Sequence, residues 1–302
     1  MYILVGFLLI YIFSVIFIGR RGKTFSRWSR RLSDFSCFMV PLNLPAYFLS
    51  KIPTTPLIKK DHFPELQVLE DNWETIREEA MALYDLGYID VKDDLPASSF
   101  YRDNRWKSFY LKVYDNYIPS AKQYAPKTMA LIEQVPSMNI ALFAMLMPGK
   151  RINEHHDPFA YTVRYSLGLM TPNDDECGIV VDKHDYKWKD GDSIIFDETY
   201  LHYAYNRTDV PRLILMTDID RPLKWRWVQK IYYGFGWFFN RLFAIDNIDS
   251  RHTGWGNKIG RGAIAYRNFL KRIKKANRTA YVIGKNLVLL IVLALIVKGV
   301  AF

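Results

Sequence analysis

Cysteine is nearly absent: Cys37 and Cys177 are the only two in 302 residues. They are too few and too far apart for a disulfide framework, so a reducing compartment is expected and Cys177 is read as a buried core residue. Internal repeats and low-complexity tracts are missing as well. No nucleic-acid reader motif accompanies the formal charge of +10, which makes nucleic acid the weaker partner and leaves an anionic membrane surface or an acidic small molecule. What is abundant is apolar material, at 50% hydrophobic and 16% aromatic residues, enough for one sizeable core with surface left for membrane contact.

Charge is also absent from residues 1–19, MYILVGFLLIYIFSVIFIG, and then Arg20, Arg21, Lys23, Arg27, Arg30 and Arg31 follow at once. A helix apolar on every face with a basic flank reads as a membrane helix. A cleaved leader would carry its charge before the apolar run and small residues after it, and neither is present. Residues 281–302, preceded by KRIKKANR, form a second transmembrane or interfacial segment whose unbroken apolar stretch, Leu287 to Val297, is short for a full span. Both basic clusters face the middle of the chain, so residues 20–280 are expected in the cytoplasm. Residues 35–53, interrupted by prolines, and the aromatic and basic residues 225–243 suit an interface or ordinary domain packing equally.

Between the ends, helical spacing of Trp73, Ile76, Ala80, Leu83 and Tyr84 predicts a helix with Asp71 and Glu74 as a capping box and Gly87 as its stop. A second helix is expected over 122–134. Then β-branched and aromatic runs at 107–113, 139–146, 161–169, 178–182, 192–196, 202–206 and 212–219 alternate with turn residues, which predicts a mainly β jelly roll with flanking helices and terminal membrane helices. The expected divisions are 1–19, a basic linker with a helix over 20–100, the jelly roll over 101–222, a membrane-proximal region over 223–280, and 281–302.

Chemistry concentrates at INEHHDPFAYTVRYSLGL, residues 152–169. In an extended backbone His155 and Asp157 point to one side and His156 to the other. A lone H-x-D is weak, but His202 adds a second histidine, and two histidines with one carboxylate make the facial set of non-heme Fe(II) oxygenases. His156 is the alternative ligand, and a zinc hydrolase is the alternative chemistry. Arg164 and Arg212 lie in strand-like runs where an unpaired charge is costly, so each asks for an anion. Either could be answered by a structural carboxylate; the combination with the triad points to 2-oxoglutarate.

The ordered residues Trp106-x-x-Phe109-x-Leu111, Ala125-Pro126-x-Thr128, Pro148-Gly149, His155, Arg164-x-x-Leu167-Gly168-Leu169, Cys177, Trp188-x-x-Gly191, Phe196-Asp197, His202, Arg212 and Asp218 resemble the aspartyl/asparaginyl β-hydroxylase family of Fe(II)/2-oxoglutarate dioxygenases. The resemblance is closer to its membrane-bound lipid A fatty-acid hydroxylase branch. It implies His155 and His202 as iron ligands, Arg164 and Arg212 as partners of the cosubstrate carboxylates, and Trp106 as a pocket wall. Peptide-hydroxylating members have glycine where this chain has Asp157, a cosubstrate-contacting histidine where it has Ser166, and serine where it has Ala144. Asp157 is therefore assigned to the metal by its chemistry. The function expected is hydroxylation of a fatty-acyl chain of lipid A, at C2 by resemblance, with O2 as oxidant, at the cytoplasmic face of a bacterial inner membrane. The alternatives are hydroxylation of a peptide Asp or Asn and a membrane-tethered binding module without turnover.

Overall fold

The computed structural model describes residues 2–23, 36–89, 106–242 and 247, with short pieces between 269 and 281. The expected C-terminal segment beyond residue 281, and the basic residues 27, 30 and 31, lie outside the described residues.

Among the described residues eleven strands form two antiparallel sheets. They are β1 (Leu57–Ile58), β2 (Trp106–Val113), β3 (Asn116–Tyr117), β4 (Met138–Leu146), β5 (Lys150–His155), β6 (Thr162–Met170), β7 (Cys177–Val181), β8 (His184–Lys187), β9 (Ser193–Phe196), β10 (His202–Asn206) and β11 (Arg212–Asp220). The larger sheet runs β1-β9-β6-β11-β4-β2-β3 and the smaller β5-β10-β7-β8. From β4 to β11 the chain crosses back and forth between the sheets, which is the winding of a double-stranded β-helix, the expected jelly roll. All seven expected runs are strands. The polar β5 and β8, which lack a β-branched or aromatic pattern, were not foreseen.

Alternation along the strands decides what faces the inside. In β4, Ala141, Phe143 and Met145 pack on the helical side of the large sheet, while Leu142, Ala144 and Leu146 pack between the sheets. In β6, Val163, Tyr165, Leu167 and Leu169 take the helical side, and in β11 Leu213, Leu215 and Ile219 do the same. Arg164 and Ser166 of β6, and Arg212 and Asp218 of β11, are thereby turned inward.

Among the described residues the helices of six residues or more are α1 (Tyr2–Arg21), α2 (Ser36–Phe48), α3 (Trp73–Asp85), α4 (Pro119–Tyr124), α5 (Pro126–Ile132) and α6 (Arg226–Leu242). α3 is the helix the spacing predicted, and Gly87 ends it at φ 74°. The expected Asp71 cap is not made: Asn72 is the N-cap residue, without a side-chain cap, and Asp71 accepts a hydrogen bond from Gln67 at 2.8 Å instead. The single helix expected over 122–134 is two, because Pro126 has no N–H and drives Ala125 to φ −137°. Glu79 of α3 then accepts from the backbone N–H groups of Lys127 and Thr128, satisfying the open start of α5.

The apolar run at the N-terminus is helical, as expected, and lies along α2, with Phe17 stacked on Tyr47 and Tyr11 against Phe38. Among the described residues no helix is long and apolar enough to cross a membrane. The 35–53 and 225–243 segments are largely helical, α2 continuing through Pro41 and Pro45.

Gly168 sits where β6 meets the 189–192 loop. Its N–H donates to Asp192 O and its carbonyl accepts from Gly191, both at 2.9 Å, and a Cβ at this position would overlap the carbonyl oxygen of Lys189. Gly168→Ala is expected to destabilise the protein by about 1–3 kcal/mol or more through overpacking against backbone. A denaturant titration that leaves the unfolding midpoint unchanged would show that the loop can retreat without cost.

Candidate metal centre

β5 and β10 are neighbours, and their register sets His202 directly across from His155. The imidazole rings lie 4.2 Å apart between centroids. His155 Nδ1 is 2.7 Å from Asn153 O, and His202 Nδ1 is 2.9 Å from Tyr200 O. A carbonyl can only accept, so each Nδ1 is the donor and Nε2 is the ring atom left to serve as a ligand. Asp157, two residues beyond the end of β5, brings Oδ1 to 3.7 Å from His155 Nε2. One ligand atom from each of His155, Asp157 and His202 lies within 4.8 Å of the others, a group that could hold a metal ion.

Protonation suits that use, since a metal takes a neutral imidazole and an ionised carboxylate. Burial, helped by nearby His155, pulls His202 down to about 3. At Asp157 burial opposes the charge, but Arg164 first and the two histidines after it outweigh burial and hold the carboxyl well below its ordinary range. Glu198, buried beside Asp157 and Asp218, moves the other way, well above the usual carboxylate range. Two adjacent carboxyls are thus pushed in opposite directions, Asp157 toward the ionised form and Glu198 toward the neutral one.

The two arginines meet different fates. Arg164 is answered from within the chain: NH1 donates to Asp157 Oδ2 at 2.7 Å, Nε to Asp218 Oδ1 at 2.8 Å, and NH2 contacts Glu198. Asp218 is its partner across the β6–β11 ladder. Arg212 is 1% exposed and has no ion pair among the described residues. Its Nε lacks a hydrogen-bond partner, as does Nε1 of Trp188, whose ring lies 4.9 Å from the guanidinium carbon. Burial without a carboxylate pulls Arg212 down to about 10. Arg212 and Trp188 share one cavity with His155, His202, Arg164 and Ser166, walled otherwise by apolar side chains.

Ser166, which stands where the resemblance implies a cosubstrate-contacting histidine, lines this cavity. Trp106 opens β2 in register with Leu146, which itself pairs with Arg212, so the three stand in one row of the sheet. His156 points away from the triad and is buried, with Nδ1 3.0 Å from Thr199 O. Asp197 and Thr199 belong to the turn before His202, and Asp197 Oδ1 accepts from the Thr199 N–H at 3.0 Å. Glu198 was not singled out from the sequence. Its only signal was a third acidic or hydroxyl residue beside Asp197 and Thr199.

Single replacement of His155, Asp157 or His202 by alanine is expected to abolish tight Fe(II) or Co(II) binding, because two of three ligands hold neither charge nor geometry. His156→Ala should keep most of it. Equal metal affinity in wild type and the Asp157→Ala variant, read by Co(II) titration, would remove the carboxylate from the ligand set.

The sequence profile described as aspartyl/asparaginyl beta-hydroxylase matches residues 70–222. The chain is 30% identical over 229 residues to an ornithine lipid ester-linked acyl 2-hydroxylase of Rhizobium tropici, covering 75% of this chain and 78% of that one. It is also 30% identical over 216 residues to the human aspartate beta-hydroxylase domain-containing protein 2, covering 68% of this chain and 57% of the human protein, little more than half its length. A Pseudomonas putida prolyl-4-hydroxylase structure superposes with a TM-score of 0.36 at 16% identity, over 50% of this chain and 87% of that one. With a triad able to hold a metal inside a jelly roll and the family's profile spanning half its length, this chain belongs to the aspartyl/asparaginyl β-hydroxylase family and is a hydroxylase.

Proposed function

We propose that the chain is an Fe(II)/2-oxoglutarate-dependent dioxygenase that hydroxylates a fatty-acyl chain of a membrane lipid, lipid A, at C2. The observation that carries the cosubstrate is Arg212, a buried guanidinium without a carboxylate, beside the unpartnered indole N–H of Trp188 and in one cavity with the triad. A dicarboxylate supplies what that guanidinium lacks, since a charge-assisted pair is the ordinary way to keep a buried charge. His155, Asp157 and His202 would hold the iron, and Ser166 and Trp106 would flank the cosubstrate.

Fe(II) so held, with O2 and 2-oxoglutarate, supplies the oxidising power to break an unactivated C–H bond, for which no side chain is competent. The balance is one oxygen atom to the acyl carbon and one to succinate, with CO2 released. The chain's own part is to keep Asp157 ionised through Arg164, to anchor a carboxylate on Arg212, and to exclude water with the apolar walls of the cavity.

The lipid part rests on the acyl 2-hydroxylase relative and on an apolar exposed surface. Leu8, Leu9 and Phe13 of α1, Phe38 and Leu42 of α2, and Trp225 and Trp227 at the start of α6 are all exposed. Between α2 and α6 runs an apolar groove of about 310 Å³ walled by Leu42, Pro45, Leu49, Trp227 and Ile231. Lys224, Arg226 and Lys230 stand exposed beside it, the mixture of aromatic and basic groups that suits anionic headgroups. Residues 1–19 and 281–302 act as membrane anchors, and the body works at the cytoplasmic face of a bacterial inner membrane.

The test is incubation of purified protein with Fe(II), 2-oxoglutarate and isotopically labelled O2, offering lipid A, an ornithine-linked acyl lipid and an Asp/Asn-containing peptide in separate reactions. Lipid A is expected to gain one labelled oxygen at acyl C2, with one succinate formed per turnover. Labelling of the ornithine-linked lipid alone would reassign the substrate within acyl lipids. Labelling of the peptide alone would replace the lipid reading.

A further inference from the structure

The turn leading into β10 offers three successive backbone carbonyls, the outer two of them to metal-site residues. Glu198 O accepts the Asp157 N–H at 2.9 Å, Thr199 O faces His156 Nδ1 at 3.0 Å, and Tyr200 O faces His202 Nδ1 at 2.9 Å. Displacing this turn would therefore displace two of the three ligands. It is fixed by Asp197, wholly buried, whose Oδ2 accepts from Arg221 and from Arg21, each at 2.6 Å.

These two arginines belong to different parts of the molecule. Arg221 directly follows β11, and its Nε also donates to Ala160 O at 2.6 Å, so it is tied into the jelly roll. Arg21 is the last residue of α1, the helix the sequence assigns to a membrane, with its side chain only 10% exposed. Its NH1 donates to Tyr47 Oη of α2 at 2.7 Å and also contacts the Thr199 hydroxyl. Its guanidinium carbon lies 3.8 Å from the Tyr47 ring centroid and 4.3 Å from that of Tyr200.

One carboxylate thus serves two guanidiniums. Without Arg21, Asp197 and Arg221 would remain as a neutral buried pair, so Arg21 is not required to compensate a charge. What it adds is a rigid fork between α1, Tyr47, Asp197 and Thr199. We propose that Arg21 is a positioning residue for the metal ligands: seating the end of α1 on the Asp197 turn fixes the carbonyls of residues 198–200, and through them Asp157 and His202. This inference rests on reading the triad as a metal site. It makes the N-terminal helix part of the site as well as its tether.

The experiment uses the full-length chain, metal-free, titrated with Co(II) and followed by visible absorption, with thermal unfolding measured on the same samples. Arg21→Ala is expected to weaken Co(II) binding by about 10–100-fold and alter the ligand-field spectrum, the size seen when groups that orient metal ligands are removed. The unfolding midpoint should stay close to wild type. Arg21→Lys, or methylguanidinium added to Arg21→Ala, should recover part of the affinity, which a global folding defect would not allow. Tyr47→Phe, which removes one hydroxyl, should give a smaller loss in the same direction. Unchanged Co(II) affinity and spectrum in Arg21→Ala would overturn the proposal, and so would a loss that follows the unfolding midpoint and resists both rescues. If the wild-type chain itself fails to bind Co(II), the metal reading falls and this inference falls with it.

Discussion

Asp157 must stay ionised at a half-buried position where burial opposes its charge, and the Arg164 guanidinium beside it is what permits that. Much of the site's architecture follows from this contact. Arg164 is held in turn by Asp218 across the β6–β11 ladder and by Glu198 from the turn before β10. Three segments far apart in sequence are thus tied at one cation. Burial, with Asp218 and Asp157 beside it, pushes Glu198 well above the usual carboxylate range. Removing the arginine would leave buried carboxylates uncompensated, among the costlier changes a core can suffer.

The sequence assigns Arg164 and Arg212 to the same dicarboxylate, and in the structure the two line one cavity with different partners. Both lie on inward-facing positions of neighbouring strands, yet only Arg164 meets acidic side chains. Arg212 instead faces the Trp188 ring and a cavity with mostly apolar walls. Asp157, Glu198 and Asp218 hold Arg164 from three positions, and among the described residues no acidic side chain pairs with Arg212. A cosubstrate would then depend more heavily on Arg212, and this is consistent with a serine rather than a histidine at position 166.

Much of this was legible because it rests on the two-residue period of strands. That period marked seven of the strands, and together with the resemblance it placed Arg164, Ser166 and Arg212 beside the histidines. β5 escaped because Lys150, Arg151, Asn153 and Glu154 give it a polar pattern at an exposed edge. The split between α4 and α5 was legible in kind, through Pro126, but the helix was extended across it. Arg21 could not have been found: a basic residue after an apolar helix has one appearance in sequence, whether it flanks a bilayer or is buried against Asp197. Glu198 and Arg221 acquire meaning only when the β9–β10 turn meets the end of β11, a long-range closure that local pattern does not encode.

The central claim is the division of labour between the two arginines, and it is tested by measuring both equilibria in two variants. Under anaerobic conditions, Fe(II) affinity and then 2-oxoglutarate affinity of the Fe(II)-loaded protein would be titrated for Arg164→Met and Arg212→Met. The account predicts that Arg164→Met loses Fe(II) affinity by about tenfold or more, as expected for a partner of a ligating carboxylate. Arg212→Met should bind Fe(II) as wild type does and lose 2-oxoglutarate affinity. Loss of 2-oxoglutarate binding in Arg164→Met with Fe(II) affinity intact, or unchanged 2-oxoglutarate binding in Arg212→Met, would contradict it.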